Sequence, residues 1–526
     1  MMTKPPGKLQ NVEKGSPLFP RYPKQNGESF RTREEGVPRI SSLRPVTPIA
    51  PHFALSDRPA LFGFLSSMLI LLLAGCATQN APPPGHGVVM PGSYANANPG
   101  ESGKLSDQWW KGFGSDELAT IVAAAIEGSP DLAIAMRRIE QAEAQARVAG
   151  APLFPLLNLN AGSSRSESRA ASAGRYANSD ASSVSFAASY EIDFWNKNAS
   201  GARAAQASLA ASRFDAQTAR LSLVSGVASA YFNVLSVRDR LRIARENVAI
   251  ALRVLGVVNS RFKFGNASAL DVIRQETAVI TQRAAVPPLE LQERQSLAAL
   301  ALLLGRPPQN FDVAQSSVTT LDVPVAAPGM PAELMLRRPD LASAEAQLAA
   351  ANANIAAARA ALLPTISLTS SMGLASSDLL SLANPTRSLS LGTSLLQPIF
   401  NAGRLQAQVD ITAARQRELV ETYRRAILAA LADVDNSLAA AGRGAEQELL
   451  QVQVRERARR SLELAELRYK AGADDLLAVL DAQRTLFAAQ DQAAQVRLAR
   501  LQASVALFKA LGGGWRNSGV DSRAAP

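Results

Sequence analysis

The chain repeats itself at a spacing of about 200 residues, and the repeat limits its architecture more than any single motif does. Ser129-Pro130-Asp131-Leu132 returns as Arg338-Pro339-Asp340-Leu341, and Leu153-Phe154-Pro155 returns as Leu362-Leu363-Pro364, both 209 positions later. Arg261-Phe262-Lys263-Phe264-Gly265 returns as Arg468-Tyr469-Lys470-Ala471-Gly472, 207 positions later. Nearly equal offsets at three separated anchors require two copies of one unit, with only small length changes between them. Each copy should therefore fold alike.

Within a copy the pattern opens with an Ala-rich helix, roughly 116 to 150, that stops before Pro152 and Pro155. One strand leaves Pro155 and a second runs from about 182 to 194. In the second, Val184, Phe186, Ala188, Tyr190, Ile192 and Phe194 alternate with Ser183, Ser185, Ala187, Ser189, Glu191 and Asp193, the period of a sheet with unlike faces. The other copy repeats the alternation at Ile366 and Leu368 and again at Leu389 and Leu391. A very long helix follows, from near 199 to 262, about 95 Å at 1.5 Å per residue. Leu209, Ser212, Ala216, Ala219, Leu223, Gly226, Ala230, Asn233 and Val237 give it a heptad seam of mostly small residues, suited to close helix approach. Gly265 ends this helix and a return helix from 269 to 304 begins after Ser268; the second copy does the same around Gly472, with arms of about 402 to 470 and 475 to 511.

Two strands per copy give four per chain, too few to close a membrane barrel, which needs about eight. Open sheet edges cannot face lipid, so a membrane role requires oligomerisation. A trimer would supply twelve strands, apolar residues outward and Ser, Glu and Asp toward a wet lumen. A soluble sandwich explains the alternation equally well, and an antiparallel coiled-coil scaffold without a pore explains the helices.

The segment Leu61 to Cys76, LFGFLSSMLILLLAGC, is too short for a comfortable bilayer span but suits the hydrophobic region of a signal peptide. Its end, Leu73-Ala74-Gly75-Cys76, resembles a bacterial lipoprotein signal, which makes Cys76 the lipid-attachment residue. Ala77 in place of Asp favours transfer to the outer membrane. Residues 1–60 are Pro-, Arg- and Ser-rich without apolar periodicity, and are expected to be a disordered extension or the product of a start codon set too far upstream. The expected order is then signal peptide 61–75, lipidated tether 76–103, first repeat 104–328, second repeat 329–511 and a disordered tail from 512, with Gly512-Gly513-Gly514 as a terminal breaker.

Composition removes most enzyme chemistries. The chain has two histidines, His52 and His86, and one cysteine, so a histidine metal site, a Cys/His nucleophile pair and an intramolecular disulfide are excluded. No cofactor is expected beyond the covalent lipid on Cys76. Half of the net charge of +10 lies before Cys76, and no dense basic tract with interleaved aromatics follows, which argues against nucleic-acid binding.

Several further motifs stand in order: Trp109-Trp110 with Phe113 and Asp116, Leu303-Leu304-Gly305, and Pro328-Gly329-Met330-Pro331 leading into Leu336-Arg337-Arg338-Pro339-Asp340-Leu341. Phe400-Asn401-Ala402-Gly403-Arg404 and Leu480-Asp481-Ala482 complete them. With these the chain resembles the TolC-like outer-membrane efflux family, in its lipoprotein branch serving resistance-nodulation-division pumps, over about 109 to 511. The resemblance implies a mainly α fold with membrane β: a homotrimer with a twelve-stranded outer-membrane barrel joined to a long periplasmic helical barrel. It implies a channel component of a tripartite efflux system for small molecules, partnered by a periplasmic adaptor and an inner-membrane transporter that supplies the energy. A type I protein-secretion channel is the alternative within transport. The turns at Gly265 and Asn266 and at Gly472 and Ala473 would dock the adaptor, although each glycine also serves as a helix breaker. Asp271 and Asp481 would form rings of carboxylates at a periplasmic gate. Ser268-Ala269-Leu270-Asp271 equally fits a capping box, and Ala478 stands where the family's pattern would put another aspartate.

Overall fold

The computed structural model describes residues 87–96, 106–169 and 176–515. The N-terminal extension, the signal segment, Cys76, all of the tether except 87–96 and the tail beyond 515 lie outside the described residues. Helices α1 (Asp116–Gly128) and α2 (Pro130–Gly150) lead into strands β1 (Leu156–Arg169) and β2 (Tyr176–Ile192), then the 67-residue helix α3 (Lys197–Lys263). The return arm comprises α4 (Ala269–Ala284) and α5 (Val286–Leu303). The second copy repeats the plan with α6 (Pro339–Ala360), β3 (Thr365–Ser376), β4 (Thr386–Leu396), the 67-residue α7 (Arg404–Lys470) and α8 (Leu476–Ala510).

Two of these boundaries correct the sequence expectation. The opening helix breaks at Ser129, where Pro130 forces its predecessor into an extended conformation (φ −68°, ψ 124°) and the axis bends by 41°. The first return arm is not continuous to 304: Val286-Pro287-Pro288 removes two backbone donors and splits it at Ala285. The second copy has Ala494-Gln495 at the equivalent place, and α8 runs unbroken for 35 residues.

The strands form one antiparallel sheet in the order β1-β2-β3-β4, leaving β1 and β4 as free edges. The helices follow the same lateral order. Nearer the sheet α3 packs between α2 and α6, and α6 packs on α7; nearer the tips α3 packs between the α4–α5 arm and α8, and α8 packs on α7.

Where the two tiers meet, the largest core gathers around the middle of α3. Trp109 stacks on Phe508 at 5.1 Å, Phe113 meets Phe232 at 4.9 Å, and Tyr231, Leu235 and Leu300 are fully buried with them. These aromatics, few in the chain, are concentrated where many elements converge and one large ring can fill a gap between helices. Replacing Phe113 by Ala would cost about 3–5 kcal/mol. The heptad seam of small residues is only partly the buried stripe. Leu209, Leu223 and Val237 are buried, whereas Ala216, Ala219 and Ala230 stay half-buried, and Val224, Val227, Ala228 and Val234 carry more of the packing.

Gly512 to Trp515 are not a trailing end. All three glycines have positive φ, Gly513 and Gly514 leave no room for a β-carbon against Leu221 and the Ser106 backbone, and Trp515 meets Phe214 edge-on at 5.8 Å.

Candidate functional site: a two-faced sheet and two glycine tips

Register decides which side chains share a face of the sheet. Leu159, Phe186, Met372 and Leu389 lie side by side across all four strands, flanked by the row Leu157-Ala188-Ser370-Leu391 and by Val184 with Leu374. Most of these apolar groups are bare within the chain, with Leu389 78% exposed and Leu159 62%, while Val184 and Ala188 are half-buried. The apolar rows from Ile192 to Val184 climb roughly 25–30 Å along the strand, the height of a hydrocarbon band. On the opposite face stand Asn158, Asn160, Ser185, Ser371, Ser388 and Ser390. A sheet with one oily and one wet face, both bare, fits a wall between lipid and water.

At the far ends of α3 and α7 the two hairpin turns have the same backbone. Gly265 (φ +72°) and Gly472 (φ +76°) take left-handed conformations that a side chain would strain. Each turn is closed by the same reach-back bond: Asn266 N donates to the Arg261 carbonyl at 2.8 Å and Ala473 N donates to the Arg468 carbonyl at 2.9 Å. Beside the first glycine Phe264 is 81% exposed, and no atom outside its neighbours comes within 4 Å of the β-carbon position of Gly265. The tips are thus glycine-shaped, bare and partly apolar.

The two carboxylates differ. Asp271 completes a capping box: its Oδ2 accepts from Ser268 N at 2.9 Å and from Ser268 Oγ at 2.8 Å, while Asp271 N donates to Ser268 Oγ at 3.1 Å. Those bonds from the Ser268 backbone and side chain hold the Asp271 carboxyl below the usual carboxylate range. Asp481 is exposed on α8, away from the buried face formed by Leu476, Val479 and Ala482. In the second copy Asp475 caps instead, its Oδ1 accepting from Ala478 N at 3.1 Å. Ala478, which occupies the position equivalent to Asp271, therefore leaves the helix start capped.

Sequence reasoning missed the contact that joins the two tips. The Arg261 guanidinium donates to the Tyr469 carbonyl and lies over the Tyr469 ring, 4.5 Å from its centroid. It also donates to the Asn266 carbonyl at 3.3 and 3.4 Å, so one side chain ties its own turn to the other hairpin. Its counterpart Arg468 pairs with Asp474 at 2.6 Å within its own turn. The repeated Arg-Phe/Tyr-Lys triplet was visible, but pairing across copies depends on α3 and α7 ending at the same height. Gln275 and Gln483 were also missed; both are buried beneath the tips, Gln275 donating to the Ala251 carbonyl at 2.9 Å.

Comparison with known proteins agrees with this geometry. The outer membrane efflux protein family model matches residues 121–306 and again 330–513, one match per copy. The pyoverdine export outer membrane protein OpmQ of Pseudomonas aeruginosa is 45% identical over 458 residues, covering 85% of this chain and 96% of that protein. The solved outer-membrane channel OprN superposes with a TM-score of 0.77 at 25% identity, covering 83% of this chain and 99% of that one. The open-state outer membrane channel MtrE of Neisseria gonorrhoeae gives 0.74 at 29% identity, over 83% and 98%. With the family model matched in both copies and a relative this similar along most of its length, the chain belongs to the outer membrane efflux protein family.

Proposed function

We propose that three copies close side by side into the outer-membrane channel of a tripartite efflux pump. This reading rests on one lateral order that runs from the sheet to the helical tips. At the sheet the free edges are β1 and β4; along the helices the flanks are α2 and the α4–α5 arm on one side and α7 on the other. Both flanks carry bare apolar residues, Ile134, Ile273 and Ile280 on the first and Ile411, Leu450 and Leu467 on the second. An edge that meets its opposite edge on the next copy is a head-to-tail contact, and such contacts form a ring when the rotation closes. Because β4 runs antiparallel to β1 in this meander, joining them continues the sheet, and three copies give twelve strands.

In this ring Asp481 is repeated three times near the narrow end and is the chief gate carboxylate. Asp271 adds to it while capping its own helix. Gly265, Asn266, Gly472 and Ala473 form the face that a periplasmic adaptor contacts, and an inner-membrane transporter behind the adaptor supplies the energy. Cys76 carries the lipid. Relatives named for pyoverdine export and toluene efflux support a small-molecule cargo rather than a protein.

Purified protein in planar bilayers tests the reading. Discrete conductance steps from a trimeric species are expected. A monomer that binds membranes without conducting would leave only the lipidated scaffold.

A further inference from the structure

The two faces of the sheet differ in charge as well as in polarity, which bears on what the channel discriminates and rests on the trimeric reading above. On the face opposite the apolar rows, the strands carry Ser, Thr, Asn, Ala and Gly, with Leu156 and Leu396 at the helix-proximal end. Among the described residues its single ionisable side chain is Glu191, also at the helix-proximal end, where an ion pair with Lys197 Nζ at 2.5 Å offsets its charge. The sheet does hold other charges. Arg165, Glu167, Asp180 and Arg387 all fall on the outward face, toward the hairpin ends, and Arg165 pairs with Asp180 at 2.7 Å. Charged residues are therefore present in these strands and kept off the inner side.

The inner hydroxyls also partner one another: Ser371 Oγ and Ser390 Oγ lie 2.7 Å apart across neighbouring strands. Hydroxyl and amide groups both donate and accept, so they solvate cations, anions and neutral polar groups alike. A ring of three like charges in a low-dielectric wall would create a potential of several kT and reject one sign. We propose that the barrel is a neutral, hydroxyl-lined bore that passes polar molecules of either charge without selecting between them.

Cysteine reactivity in the full-length protein in proteoliposomes tests this, with the wild type, whose one cysteine is Cys76, as the blank. Ser185→Cys and Ser388→Cys are treated with a cationic and an anionic methanethiosulfonate of similar size. Each rate is divided by that of a free thiol in solution. The normalised rates should agree within about threefold, and a preference of about tenfold or more for either sign would overturn the proposal. Adding Ser388→Asp to Ser185→Cys should shift the ratio toward the cationic reagent by about tenfold. No shift would also overturn it, since some other fixed charge would then dominate the bore. Phe186→Cys, on the outward face, should stay unreactive; reactivity there with silence at Ser185→Cys would instead contradict the channel reading.

Discussion

The α-carbon of Gly305 faces the carbonyl oxygen of Gly128 so closely that a β-carbon on Gly305 would overlap it. Gly512 stands in the same relation to the carbonyl of Arg337. Both glycines have positive φ, +67° and +87°, and each brings the end of a return arm against the start of the helix that leads into the strands, α2 at Pro130 or α6 at Pro339. The duplicated Pro-Asp-Leu and terminal glycine motifs are thus two halves of one junction, made once in each copy.

Gly305→Ala and Gly512→Ala should each destabilise the protein by about 1–3 kcal/mol, since both backbone conformation and space oppose a β-carbon. Gly256→Ala, in the exposed interior of α3 with nothing within 4 Å, should be neutral or stabilising by up to about 1 kcal/mol. Thermal unfolding of the purified protein ranks the three; equal effects would contradict the junction.

Arg261→Met keeps the apolar stem and removes the guanidinium that bridges the hairpins. Amide hydrogen exchange at 469–473 should quicken while the circular dichroism spectrum stays unchanged. Arg261→Lys should recover only part of the protection, because an ammonium lacks the planar fork. Unaltered exchange in Arg261→Met would show that the tips are held together elsewhere.

The cap at Ser268 has a pH signature. The folded-state pKa of Asp271 is depressed, so its contribution is complete above the ordinary carboxylate value near 4 and is lost as pH falls through the lower folded value. Because the group is largely exposed, the effect is small and local. Protection at 269–272, taken as the intrinsic exchange rate at each pH divided by the observed rate, should fall below pH about 4 in the wild type and be low at every pH in Asp271→Asn. Protection in the wild type that does not change with pH would contradict it.

Asp481→Ala should reduce cation preference or raise the open fraction in planar bilayers, and the double variant with Asp271→Ala should go further. Identical conductance and selectivity in all three proteins would remove both carboxylates from the gate.

Labelled palmitate should enter the wild type and not Cys76→Ser. Equal labelling of the two would remove the lipid anchor from the account.

Much of the architecture was legible because it is periodic and duplicated. Gly265 and Gly472 located both hairpin tips, and alternation around Phe186 and Leu389 located the sheet and its faces. Breaks set by a local residue in only one copy were harder: Pro287-Pro288 splits the first arm, while Ala494 lets the second run on. The two carboxylates proposed for the gate could be placed along the chain but not ranked, since whether Asp271 turns to Ser268 is a matter of rotamer and not of spacing. Arg261 over Tyr469 was hidden because it joins residues 208 apart, where only the packed tertiary structure brings them together.

Closure of β4 on the next copy's β1 can be read from cysteine pairs placed on those two edges. Within one chain two strands separate β1 from β4, roughly 14 Å at 4.8 Å per strand, beyond the 7 Å or so that a disulfide allows between α-carbons. With one cysteine at Leu159 and the second stepped through Leu389, Leu391, Thr393 and Leu395, oxidation should give disulfide-linked dimers and trimers for at least one pair. Monomer alone at every position, in protein that conducts, would contradict the account.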